Sequence, residues 1–401
     1  ALKKANIGVI MDVVYNHTYK SIDSDLNKLV PGYYYRQDHQ GNFCNGSGCG
    51  NEIASERSMV RNFIISSVKM WAQEYKIDGF RFDLMGLIDI ETMNDIRLAL
   101  DKISPSILLY GEGWTGGHSL LKGYDSSSKA NAAKLNKIGF FNDNTRDAIK
   151  GDAFHQDGTG FITGNYKYKE GVKFGVVGAV HHPGIDYAKV NYSGYAWAAY
   201  PWHCVNYAAS HDNLTLYDKL LASRPDLKES DHIRLVNLAA AIVLTSQGIP
   251  FFMLGTDMMR TKKGEHNSYN LPDEINQIDW SLKHRYQQVF NYHKGLINLR
   301  KAHPAFRMTQ AEEIRKNLNF YAYPEHAVAF SLNDYANHDS WKTIFVAYNA
   351  GIHPQSFSLP QHGHWNVVVD ENSVALDPLY DFHGDTVDVP ATSAMILYLS
   401  N

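Results

Sequence analysis

The chain has 401 residues, 44% of them hydrophobic, and sets 38 Lys and Arg against 42 Asp and Glu for a formal charge of −4. That length can bury a large core and suits two domains, while the near-neutral balance gives no electrostatic reason to bind nucleic acid or an anionic membrane. No run of about 18 apolar residues offers a membrane span.

Residues 1–6, "ALKKAN", read as the tail of a helix, and a strand, "IGVIMDVV", follows at once over 7–14. A domain seldom begins this way, so further sequence is expected upstream or on another chain. Cys44 and Cys49 then bracket a glycine-rich loop. It can close as a disulfide in an oxidising compartment or hold two thiols in a reducing one; the cysteines lack partners at a convincing zinc spacing. Further strand-like apolar runs occupy 77–83, 106–112, 138–142, 204–211 and 249–254. Helical periodicity covers 58–75, 91–103, 230–245 and 285–301 between and after them. Such alternation predicts a parallel sheet with helices outside it. After about residue 303 the pattern changes to short alternating strands, "FYAYP", "AVAFSL", "KTIFVAYNA", "WNVVVD" and "ATSAMILYLS". The expected domains are therefore an α/β domain built on a parallel sheet over 1–302 and an all-β sandwich over 303–401.

Polar residues gather at the predicted strand ends. Asp12 ends the first strand and His17 follows in its loop; Arg81 and Asp83 end the second, Glu112 the third, and His211 and Asp212 the fifth. In parallel α/β folds ligands bind at the carboxyl ends of the strands, and a (β/α)8 barrel draws its catalytic groups from several of them. Taken singly, each residue has a plain structural explanation: an ion pair, a surface histidine, a strand-end cap. Together they suit cleavage of an acetal, which needs a carboxylate on one face of the sugar and a carboxylic acid on the other, about 5 Å apart in a retaining enzyme. Residues two apart on a strand face the same side, so Arg81 and Asp83 project together. A guanidinium there keeps a nucleophilic carboxylate ionised and aimed. The chain is also 12% aromatic, with 25 Tyr, 18 Phe and 7 Trp; flat rings with polar tips suit sugar stacking, although a large core needs many rings as well.

The segments "DVVYNH" (12–17), "GFRFDLMG" (79–86), "YGEGW" (110–114) and "VNYAASHDN" (205–213) resemble, in chain order, the four signature regions of the α-amylase superfamily. Within it the chain is most similar to type I pullulanase, the debranching enzymes that hydrolyse α-1,6 bonds in pullulan, amylopectin and limit dextrins. "GCGNEIASER" (48–57), "FNDNTRDAIKG" (141–151) and "YNLPDEINQIDW" (269–280) share that likeness. The resemblance covers essentially the whole chain. It implies a (β/α)8 barrel followed by a β-sandwich, with Asp83 as nucleophile, Glu112 as general acid/base and Asp212 as stabiliser of the transition state. It also implies that His17 and His211 bond sugar hydroxyls, that Arg81 positions Asp83, and that Asp12 holds the polar cluster together. Met85 and Trp114 would line the subsites that read the branch, and Asp273 and Asn276 would bind sugar further along.

The same resemblance implies no required cofactor, with calcium held by loop groups as an option, and an α-glucan as the partner. It places a carbohydrate-binding module, a "YNWGYDP" motif and two barrel strands ahead of residue 1. The expectation is a chain that works with that missing front, on the same or a second polypeptide. Location is not written in these residues, a secreted or cell-associated enzyme being preferred. The neighbouring alternatives are an isoamylase or a neopullulanase-like α-1,4 hydrolase, opposed by Trp114 after Glu112 and by the "FRFDLMG" form. A non-catalytic α-glucan-binding protein is the alternative of another class.

Overall fold

A computed structural model describes residues 1–400. They divide into two compact units, one formed by residues 1–141 and 197–203, the other by 142–196 and 204 onward.

The first unit carries four short parallel strands, β1 (Ile10–Val13), β2 (Gly79–Phe82), β3 (Leu108–Gly111) and β4 (Gly139–Phe141), side by side in that order. Their register places Asp12 beside Arg81 and Arg81 beside Tyr110. Every residue of β2 is buried, as a "GFRF" strand between two neighbours should be. By contrast β1 is an edge strand, and Ile7, Ile10 and Val14 along it are 51%, 37% and 51% exposed. The helix Ser58–Glu74 between β1 and β2 buries Val60, Ile64, Val68 and Ala72, one stripe at four-residue spacing. Met59 and Phe63, part of the predicted apolar pattern, are about half exposed instead. The helix Ile90–Asp101 starts where the Asp89 carboxylate accepts the Thr92 N–H at 2.9 Å. Residues Leu2–Ala5 form a 3-10 turn in place of a helix tail.

In the second unit the parallel pair β5 (Cys204–Asn206) and β6 (Ile249–Pro250) flanks the helix Glu229–Thr245 in sequence, which is buried without a break from Leu235 to Thr245. The helices Asp143–Lys150, Lys169–Val176, Leu216–Ser223 and Ala311–Asn317 were not legible as periodic segments. Each is only two turns or so, too short for a 3.6-residue period to stand out.

Six antiparallel strands complete this unit: β7 (Leu318–Tyr321), β8 (Ala327–Leu332), β9 (Ile344–Asn349), β10 (Gln355–Val369), β11 (Tyr380–Val389) and β12 (Ser393–Leu399). They form one hydrogen-bonded sheet in the order β11-β10-β12-β9-β8-β7, where the sequence suggested two facing layers. The difference lies in β10, whose pairing with β11 shifts between Ser358 and Gly363. Phe357 before the shift meets Phe345 and Tyr323, and Trp365 after it joins the same core. A bulge of this kind bends a strand, so one sheet encloses a core. On the opposite face of β9, the Tyr348 hydroxyl bonds Thr245 of the long helix, which explains why β8 and β9 are buried on both sides.

Candidate active site

The carboxyl ends of β1, β2 and β3 meet around one guanidinium. Arg81 donates to Asp12 Oδ1 at 2.8 Å and Asp83 Oδ1 at 2.9 Å through Nη1, and to Glu112 Oε1 at 2.6 Å through Nη2. The sequence assigned Arg81 to Asp83 alone; the register of three parallel strands gives it two further carboxylates. Burial by itself would lower the Arg81 pKa, but Glu112, Asp12 and Asp83 outweigh it and raise the group above its ordinary value. The guanidinium is a fixed positive charge. Of its partners, the Asp12 side chain is 49% exposed, Asp83 23% and Glu112 10%.

Asp83 is held from a second direction. Asn16 is buried, and its Nδ2 donates to Asp83 Oδ2 at 2.8 Å and to the Asp83 carbonyl at 2.7 Å; its Oδ1 lies 2.6 Å from His17 Nδ1. One amide therefore couples His17 to the carboxylate. Sequence reasoning passed over Asn16 because an uncharged amide beside a histidine carries no signal of its own. Glu112 accepts the Leu84 N–H at 2.9 Å through Oε2. Leu84 reaches that position in a left-handed conformation, φ 37°, a strained geometry for a branched side chain. Gly111 lets β2 and β3 approach: a Cβ there would stand 2.5 Å from the Phe82 carbonyl oxygen.

Met85, expected at a subsite wall, is fully buried in the turn after β2. Trp114 keeps exposed surface, and Lys129 Nζ stands 5.9 Å from its ring centroid. The remaining predicted residues belong to the second unit. His211 and Asp212 follow β5 and are both exposed, with His211 Nε2 3.5 Å from Asp212 Oδ1. Asp273 is exposed at the start of a four-residue helix. Asn276 donates to the carbonyls of Ser268 and Leu271 at 2.7 and 2.9 Å, so its amide braces its own loop. Among the described residues no disulfide joins Cys44, Cys49 or Cys204.

Residues 314–373 match the family model described as the pullulanase all-beta domain. The pullulanase of Bacillus subtilis (strain 168) is 39% identical over all of this chain and 54% of its own length. The solved pullulanase of Bacillus acidopullulyticus superposes with a TM-score of 0.92 at 45% identity, over 99% of this chain and 47% of that one. The Paenibacillus barengoltzii pullulanase, solved in complex with maltohexaose and alpha-cyclodextrin, gives 0.91 at 45% identity, over 100% of this chain and 60% of that one. The chain is a homologue of the pullulanases. It spans about half the length of the curated relative, and its fold class is the α/β barrel portion with an all-β domain that the sequence implied.

The motif "FNDNTRDAIKG" of this pullulanase homologue builds a second charged cluster, within the second unit. Arg146 donates to Asp147 through Nε at 2.6 Å and Nη2 at 2.9 Å, and to the Tyr207 hydroxyl at 3.2 Å. The Tyr192 hydroxyl donates to Asp147 Oδ2 at 2.8 Å. Lys150 is completely enclosed, and burial first, then Arg146, pushes its pKa down to about 7. Lys219 caps the carbonyls of Asp152 and Gln156 at 3.0 and 3.1 Å, and that of His155.

Proposed function

We propose that this chain supplies the reacting carboxylates of a retaining α-1,6-glucan debranching hydrolase. The observation that carries the reading is the Arg81 clamp, which gathers Asp83 and Glu112 from adjacent strand ends while Asn16 aims the free side of Asp83. Asp83, oriented by the guanidinium, attacks the anomeric carbon and forms a glycosyl-enzyme. Glu112 protonates the departing glycosidic oxygen and then takes a proton from water, which releases the sugar with retained configuration. To do so Glu112 must leave Arg81 and the Leu84 N–H. Asp212 stabilises the oxocarbenium-like transition state, and His17 and His211 bond sugar hydroxyls. Trp114 stacks beyond the cleavage point, with Asp273 further along. Maltooligosaccharides in the related Paenibacillus structures support an α-glucan substrate. Calcium enters no step of this scheme.

We further propose that the exposed edge of β1 is covered in the working enzyme by polypeptide beyond these residues. An apolar edge strand with Ile7, Ile10 and Val14 in water invites pairing, and this chain spans only 54% of the Bacillus subtilis pullulanase. Pullulan is the discriminating substrate. Release of maltotriose by α-1,6 cleavage supports the first proposal, and α-1,4 products overturn it. Strong hydrolysis by the 401-residue chain as a soluble monomer overturns the second.

A further inference from the structure

Away from the carboxylates, three histidines stand together on the outer face of the β10–β11 hairpin. His364 is the register partner of His383, with ring centroids 6.3 Å apart and planes within 13° of parallel. His362 lies closer, its centroid 4.8 Å from that of His383 with the planes tilted by 58°. All three rings are exposed, while Trp365 between the two strand faces points into the core. Asp381 adds a carboxylate, its Oδ2 2.6 Å from His364 Nε2, and Asp385 is exposed on the same strand. Neither core packing nor the proposed hydrolysis uses these side chains.

Two imidazoles bound to one tetrahedral ion, each with a nitrogen about 2 Å from it, have centroids roughly 5 Å apart and inclined planes. The His362 and His383 rings match that spacing and inclination. We propose that they are the nucleus of a surface site for a first-row divalent transition metal of the zinc class, which suits imidazole donors. His364 is the third ligand and Asp381 its orienting carboxylate. Among the described residues no three such groups are yet gathered around one point; rotation of the exposed His364 ring closes the set. The placement gives the ion a structural task. The β10–β11 ladder breaks between Ser358 and Gly363, and His362 lies inside the break, so an ion shared with His383 clips the loosened segment to its neighbour strand.

The test is zinc titration of the chelator-stripped protein by calorimetry, beside the variants His362→Asn, His383→Asn and His364→Asn, with amide hydrogen exchange over residues 355–389. The expected result is one site whose affinity falls at least about tenfold in each variant. Slower exchange in the hairpin should appear on adding zinc to the parent protein alone. Equal zinc affinity in parent and variants, or zinc binding that leaves hairpin exchange unchanged, overturns the proposal. Surface asparagines leave the core untouched, so loss of binding in them does not reflect unfolding.

Discussion

Arg81 and Arg146 are both buried guanidiniums facing carboxylates, yet their surroundings differ in one decisive respect. Around Arg81 the acids outnumber the base and open toward solvent, with Asp12 half exposed and Asp83 about a quarter. Around Arg146 the bonded carboxylate is closed in, with lysines in the same cluster. Asp147 is 1% exposed, Lys150 is enclosed beside it, and tyrosine hydroxyls complete the bonding. Surplus carboxylate at an open strand end suits chemistry on a ligand. Closed, fully bonded charge suits holding a chain segment in place. The first cluster should therefore fail in turnover and the second in stability, and four measurements can break or sharpen that division.

The largest effect belongs to the two acids proposed to react. Asp83→Asn and Glu112→Gln should each lower kcat on pullulan by about 10⁴-fold or more in the complete enzyme, with thermal unfolding nearly unchanged. A loss of folding comparable to the loss of turnover would place these residues among the structural ones. Next, Asp147→Ala leaves the Arg146 charge buried without its partner and should cost about 3–5 kcal/mol in urea denaturation. Retained stability would show that Arg146 reaches solvent.

Asn16→Ala tests positioning. It removes the bonds to Asp83 and the link to His17 but no reacting group, so kcat should fall about 10²-fold while KM moves little. An unchanged kcat would leave Arg81 as the sole guide of Asp83.

The smallest effect is a pH dependence set by Lys150. Its folded pKa is depressed to about 7, against about 10.4 for an unfolded lysine. Between those values the unfolded chain binds the extra proton, so stability rises with pH across that window and its loss is complete below about 7. Arg146, Asp147 and Lys219 face the same group and are kept in the comparison. The difference between parent and Lys150→Met stabilities should therefore change steadily from pH 7 to pH 9. A flat difference would mean that Lys150 stays charged when folded.

The two clusters were unequally legible. Asp12, Arg81, Asp83 and Glu112 could be read because they interrupt apolar runs at strand ends, and a charge there asks for a reason. The buried motif at 141–151 offered no such contrast. Its helix, Asp143–Lys150, reads as a polar surface segment, and nothing local shows that Asn144, Arg146, Asp147 and Lys150 are all enclosed. The bend in β10 was hidden likewise, since the strand's alternation continues while its partner register slips between Ser358 and Gly363.

The sequence by itself determined which residues face the same way along one strand, and hence that Arg81 and Asp83 project together, because a strand repeats every two residues. It also determined that a region of alternating strands and helices precedes an all-β region, and it carried the family likeness. Only the tertiary structure decided that Asp12 and Glu112 share the same guanidinium and that Asn16 reaches Asp83. It alone showed that Met85 is buried and Trp114 is not. Those facts depend on register between strands and on the course of loops, which are set by packing across the fold and not by any periodicity within a segment.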